Sequence, residues 1–364
     1  MIDTGKETIT TKQGIFMVVI FTIGTSLVLS GITTAKQDVW ISVLFALFAI
    51  LPIIYAYSKI LSFFPGKNLY EILDISLGKI IGRIISFSYI MYFLFLGSLS
   101  IRSVTEFIQV VSLRFTPQYF SGLWIILLGA YMVKSGIEVL GRWSNFVCVF
   151  ILALILILSI SAFSQLDYNN ILPVLNEGWN PVINNAISIF SYPLGEVVVF
   201  LTFFNSLRDH KKSFNIFFIS LVIVSFLILL VTIRSILILG FPLIDNTYFP
   251  TYYANTIVSI GNFIESLAVF SSIVLLLAGF AKFTVCLFAV CIGLKFMFNT
   301  TKYSTFSLPV GLFALIISQI LFNSTMEMIE YVNLYPYHAL PFQLILPLII
   351  LFFSWRKSRS SKSS

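Results

Sequence analysis

Residues 191–196 read Ser-Tyr-Pro-Leu-Gly-Glu in the middle of the apolar run 182–206. Proline removes a backbone donor and collides with the preceding turn, so a helix over this run must kink or unwind at Pro193. Unwound backbone at membrane depth survives only where protein buries it or where it lines a cavity. A second interruption, Thr22-Ile23-Gly24-Thr25-Ser26, sits inside the first apolar run, 13–31. Breaks in runs one and six are what two five-helix repeats of inverted topology produce when each begins with a broken helix. Taken singly, Gly24 is equally explained by close helix packing and Pro193 by a simple kink. Their recurrence five runs apart favours a site.

The chemistry of such a site follows from its backbone. A half-helix offers free N–H groups and a positive dipole end to a carboxylate, while opposed free carbonyls suit an ammonium group or a cation. An amino acid carries both charges. The break residues Thr22, Ile23, Gly24, Thr25 and Ser26, with Ser191, Tyr192, Pro193, Leu194, Gly195 and Glu196, are therefore the candidate ligand-binding set. Tyr92, with Tyr89 and Tyr192, can wall a small pocket. Ser271 and Ser272 either face that pocket or bond back to their own helix.

The rest of the chain agrees with a membrane fold. Of 364 residues, 58% are hydrophobic and only 10% charged, against about 25% charged in soluble domains; the mean hydropathy is +0.99. Taking about 20 apolar residues per crossing, runs at 13–31, 39–63, 84–109, 119–134, 143–164, 182–206, 213–240, 262–297, 305–325 and 337–354 predict ten transmembrane helices. The run 262–297 at ~1.5 Å per residue would be about 54 Å long, beyond a ~30 Å core. It is either one long helix or two helices split near Gly279–Lys282. The distribution of Lys and Arg decides, since short cytoplasmic loops collect them. With ten spans and both termini inside, the outer loops hold only Lys36 and Arg114, and the basic tail 355–364 stays inside. An eleventh span would strand that tail outside, so one helix is expected over 262–297.

The expected organisation is a single transmembrane domain over 1–364: a cytoplasmic N-terminus at 1–12, a bundle over 13–354, and a basic tail. Residues 1–12 contain Asp3, Lys6, Glu7 and Lys12 and are not read as a cleavable signal. Cys148, Cys286 and Cys291 lie inside apolar runs and predict neither a disulfide nor a metal site. The net charge of +7 is scattered through short loops, which argues for membrane orientation and against a nucleic-acid partner. No cofactor is expected.

Ionisable groups inside spans are costly and are functional candidates by default. Arg102 and Glu106, four apart, can pair on one helical face as a structural pair or an outer gate. Glu196 can receive an ammonium group or a proton, or bond to unwound backbone. Arg234, in the outer third of its span, can snorkel toward the interface and is read as structural. Within a long eighth helix Lys282 lies too deep to snorkel; its ammonium can sit against the carbonyls of broken helix one in place of a cation, or carry a coupling proton. Glu265 is placed in an outer vestibule. An intramembrane zinc peptidase needs His-Glu-x-x-His, whereas the two histidines here, His210 and His338, lie far apart. The chain is not read as an enzyme.

Several motifs carry a family resemblance. Ile23-Gly24-Thr25-Ser26-Leu27 resembles the Gly-Thr-Gly-Ile-Leu break of the amino acid-polyamine-organocation permeases. Residues 36–42 (Lys-Gln-Asp-Val-Trp-Ile-Ser), 63–69 (Phe-Phe-Pro-Gly-Lys-Asn-Leu), 77–79 (Leu-Gly-Lys) and 134–139 (Lys-Ser-Gly-Ile-Glu-Val), together with Arg102 and Glu106, resemble the spore germination permeases, the B-type membrane subunits of nutrient germinant receptors. The resemblance implies an all-α, leucine-transporter-like fold with helices 1 and 6 broken, a place in the spore inner membrane, and A-type and C-type subunits as partners. It also implies a small-molecule germinant as ligand, an amino acid foremost, whose binding triggers ion release and germination. The second glycine of the permease break is Ser26 here, which narrows the pocket or adds a hydroxyl.

Overall fold

The computed structural model describes residues 7–24, 26, 34–258 and 264–360, with the side chains of 264–266 and 358–360 outside that description. Among the described residues the regular structure is helical, apart from an isolated parallel bridge between Ile9 and Leu207. The α-helices are α1 (Thr11–Ile23), α2 (Val39–Phe63), α3 (Leu69–Leu77), α4 (Lys79–Val111), α5 (Gln118–Ser135), α6 (Ile137–Ser161), α7 (Trp179–Ser191), α8 (Ser213–Leu239), α9 (Phe241–Asp245), α10 (Pro250–Ile257), α11 (Ile264–Phe298), α12 (Ser307–Ile320), α13 (Thr325–Leu340) and α14 (Leu346–Ser360).

Each predicted run overlaps helical backbone, and eight helical segments among the described residues are long and apolar enough to cross a membrane. The first run is described as the 13-residue α1 and the fourth as the 18-residue α5. Helix α11 is continuous over 35 residues, so Gly279 and Lys282 lie in its interior and the run is not split. The largest departures from the hydropathy reading lie at the last run and between runs two and three. The last run was expected to begin at residue 337, yet α13 begins at Thr325, where the Glu327 N–H donates to the Ser324 hydroxyl at 3.2 Å. Glu327, Glu330 and Asn333 had lowered the apolar average there. The chain between runs two and three holds α3, started by a reciprocal cap: the Glu71 N–H donates to Asn68 Oδ1, and the Asn68 N–H to Glu71 Oε2, each at 3.0 Å. A nine-residue helix is too short to register as a span.

Helix α11 packs along α4 and touches α1, α5 and α6, while α1 is held between α6 and α8. Loops assigned by charge to one side do meet at one end. Glu7, Asn68, Asn205, Lys295 and Tyr303 border a common cavity of about 470 Å³ there. At the opposite end Lys36 pairs with Glu177, and Gln37 Nε2 donates to the Pro173 carbonyl at 2.8 Å. The segment before α1 is strapped to the cavity end: Ile9 N–H donates to Ser206 O at 2.8 Å, Arg208 N–H to Ile9 O at 3.0 Å, and Ile137 N–H to Glu7 Oε2 at 3.2 Å.

Candidate functional site

The first break is set by Gly24. Its φ of +32° lies in the left-handed range that side chains resist, and a Cβ there would come within 2.7 Å of Lys282 Cδ and 2.8 Å of the Phe21 carbonyl. The absence of a side chain thus lets the Lys282 stem pass against the end of α1. Thr22 and Ser26 turn their hydroxyls to their own helix, Thr22 Oγ1 donating to Val18 O at 2.7 Å and Ser26 Oγ to Ile23 O at 2.6 Å. Ile23 is fully buried. Thr25 lies outside the described residues.

At the second break α7 stops at Ser191, Tyr192 is extended (φ −132°, ψ 111°), and after Pro193 the chain resumes as a 3₁₀ helix over Leu194–Thr202. Nine residues is long for this tighter winding, and 3₁₀ stretches inside a helix often mark hinges. Every residue of the stretch is buried. Gly195 faces the Gln343 side chain so closely that a Cβ would overlap its Oε1.

The two breaks meet at one ion pair. Lys282 Nζ donates to Glu196 Oε2 at 2.6 Å, with side-chain exposures of 2% and 0%. The ammonium also lies 4.5 Å from the Tyr192 ring centroid and 5.8 Å from that of Phe21. Tyr335 donates its hydroxyl to the other oxygen, Glu196 Oε1, at 2.9 Å. Two charges removed from water persist only when paired and hydrogen-bonded in this way. Among the described residues the hydrogen-bond partner of the ammonium is Glu196, whereas the sequence leaves open contact with the carbonyls of helix one or proton coupling. Glu196 answers Lys282 and Tyr335 instead of unwound backbone.

Tyr335 and Gln343 are site residues that the sequence reading missed. The Tyr335 and Tyr92 hydroxyls are 3.2 Å apart, and Gln343 Nε2 donates to Tyr92 Oη at 2.8 Å and to the Ser191 carbonyl at 2.9 Å. Gln343 thereby ties the end of α7 to a single π-turn, Pro341–Ile345, between α13 and α14. Such turns cluster at functional sites. The available signal was a lone glutamine in an apolar run beside Pro336 and Pro341. A cavity of about 40 Å³ lies next to the pair, bordered by Leu96, Ser100, Tyr192, Glu196, Lys282 and Tyr335. It has room for about one or two waters.

Other candidates fall elsewhere. Ser271 is buried but does not border this cavity, and Ser272 bonds back to Ala268 O at 3.2 Å. Arg102 and Glu106 do pair, Nη2 to Oε2 at 3.0 Å, both nearly buried. Glu106 also accepts from Gln118 Nε2 at 2.7 Å and from the Thr325 hydroxyl, so the pair staples α4 to α5 and the start of α13. Arg234 is buried, and its Nε and Nη1 have no hydrogen-bond partner among the described residues. Helix α10 packs on α8, and its cap residue Val258 clusters with Ile238, one turn past Arg234. The side chain of Glu265 lies outside the described residues.

Comparison with known proteins bears on the family and the fold. The sequence matches the profile of the family described as spore germination protein over residues 8–327. It is similar to spore germination protein KB of Bacillus subtilis (strain 168), with 30% identity over 364 residues, covering 98% of each chain. Spore germination protein A2 of the same organism is 28% identical over 310 residues, covering 83% of this chain and 84% of that protein. Among solved structures, Mhp1, a nucleobase-cation-symport-1 family transporter in a closed conformation with bromovinylhydantoin bound, gives a TM-score of 0.64 at 14% identity. It covers 95% of this chain and 78% of the transporter. The manganese transporter of Eremococcus coleocola, in complex with an aromatic bis-isothiourea substituted compound, gives 0.59 at 16% identity, covering 96% and 83%. At such identities the likeness shows the fold alone, that of leucine-transporter-like carriers.

Proposed function

Because this chain belongs to the spore germination protein family, a multi-pass membrane protein with a permease-like fold, we propose that it is the ligand-binding membrane subunit of a nutrient germinant receptor. The germinant is a small zwitterion, an amino acid foremost, held between the breaks at Gly24 and Pro193. Both termini face the cytoplasm, the membrane is the spore inner membrane, and A-type and C-type receptor subunits receive the signal.

The observation that carries this reading is the buried Glu196–Lys282 pair where the broken helices meet, beside a cavity too small for an amino acid. A zwitterion supplies one charge of each sign. Its ammonium can take Glu196 and its carboxylate Lys282, so the pair opens without leaving either charge uncompensated. Tyr192, Tyr92 and Tyr335 then move with the carboxylate they surround. The event is a change of partner at an ion pair, and its mechanical output is at the breaks.

Thermal stabilisation of the purified protein tests the proposal, since a ligand that binds only the native state stabilises it by about 2.7 kcal/mol at 100 times Kd. One amino acid out of a panel with sugars and nucleosides should raise the midpoint, and Gly24→Leu, which drives a side chain into Lys282, should abolish the shift. An undiminished shift in Gly24→Leu removes the site from between the breaks. A second reading is favoured by the transporter fold and by a carboxylate–ammonium pair able to hand on a proton: a stand-alone proton-coupled amino-acid carrier. Accumulation of labelled amino acid in vesicles holding this chain alone would select it.

A further inference from the structure

A groove of about 730 Å³ runs between α4 and α13, on the far side of Tyr331 from the ion pair. Phe87, Met91, Phe95, Leu334 and Phe342 give it apolar walls. Set among them are Glu327, Glu330 and His338, while neither Lys nor Arg borders it. Glu330 and His338 are exposed. His338 Nδ1 meets the Tyr331 hydroxyl at 3.3 Å, and Nε2 has no partner among the described residues; nor does the Glu330 carboxylate.

Depth gives these groups their meaning. Tyr335 reaches Glu196 at the break, and such breaks lie near the bilayer midplane. On α13 His338 is three residues inward of Tyr335 and Glu330 five residues outward, about 4.5 and 7.5 Å along the axis. An open imidazole and an open carboxylate at that depth cost several kcal/mol against hydrocarbon. The exposed face of α6, in contrast, is Phe146, Val149, Phe150, Leu156, Ile157 and Ile160, a surface that lipid covers at no such cost.

We propose that this groove seats a transmembrane helix of another protein chain, one that brings a Lys or Arg to Glu330 and a hydrogen-bonding side chain to His338. Polar side chains act as such glue between membrane helices. An acyl chain would fill the aromatic trough yet leave both groups unpaired. A second copy of this chain, meeting it about a two-fold axis, would set Glu327 and Glu330 against their own equivalents. A helix in the groove also touches Tyr331, which borders the cavity beside Glu196.

Photocrosslinking of the full-length protein in its native membrane tests this, with benzoylphenylalanine placed at Leu334 and, as control, at Phe146. The expected result is a protein adduct from Leu334 but not from Phe146, whose crosslinked peptide is an apolar span of a different chain carrying a basic residue. Glu330→Lys should lower the adduct yield at least tenfold, and reversing the partner's basic residue to Glu should restore it. Lipid adducts alone at Leu334, adducts between copies of this chain, or a protein adduct indifferent to Glu330→Lys would each overturn the proposal.

Discussion

Neutralising Lys282 should be far more damaging than neutralising both members of its pair. Lys282 Nζ and Glu196 Oε2 are 2.6 Å apart, with 2% and 0% of the side chains exposed. Even with an effective dielectric constant of 20, opposite charges at 4 Å attract by about 4 kcal/mol, and deleting one member of a buried pair costs about 3–5 kcal/mol because the other stays uncompensated. Lys282→Met and Glu196→Gln should therefore each lose about that much. The double variant removes the desolvation of both charges and should fall within about 1–2 kcal/mol of the parent. Reversible unfolding of the purified protein by titration with SDS in mixed micelles reads all four corners of the cycle. A coupling of at least about 3 kcal/mol is expected. If the double variant loses the sum of the single losses, the two residues are independent and the ion pair is not what holds the breaks together.

Gln343→Leu strands the Ser191 carbonyl and removes a donor from Tyr92, so unfolding free energy should fall by about 1–3 kcal/mol, and cleavage by protease near 191–196 should quicken. Arg102→Ala leaves Glu106 with only Gln118 and Thr325; stability should drop by about 3–5 kcal/mol while the amino-acid-induced thermal shift persists, because the staple is not part of the ligand set. A cysteine introduced at Lys357 should resist an impermeant thiol reagent added outside intact cells, and prompt labelling would invert the topology.

Much of the architecture was readable because lipid demands a single repeated solution, a long apolar helix. Gly24 and Pro193 stood out for the same reason, since each breaks that solution in the middle of a run. Glu196 and Lys282 were visible one at a time as buried charges, but their pairing joins positions 86 apart and depends on helix rotation that no local pattern encodes. Tyr335 and Gln343 were harder. Tyrosine is at home in membrane helices, and Tyr335 fell before the apolar run because Glu327, Glu330 and Asn333 obscured the first three turns of α13. Arg234 shows the converse limit: its place in the outer third of a span left snorkelling and a structural role both open, and only the packing shows the side chain to be buried.

The 3₁₀ winding of Leu194–Thr202 stores length. Each residue advances about 2.0 Å in that form and about 1.5 Å in an α-helix, so rewinding nine residues draws the segment in by about 4.5 Å. Leu207, five residues beyond Thr202, is bridged to Ile9 immediately before α1. A contraction of this segment therefore acts as a stroke on a tether, pulling the arm of the first broken helix from its anchored end. Were binding at the proposed site to rewind this stretch, the displacement would arrive at the strap that holds Ile9 against Leu207.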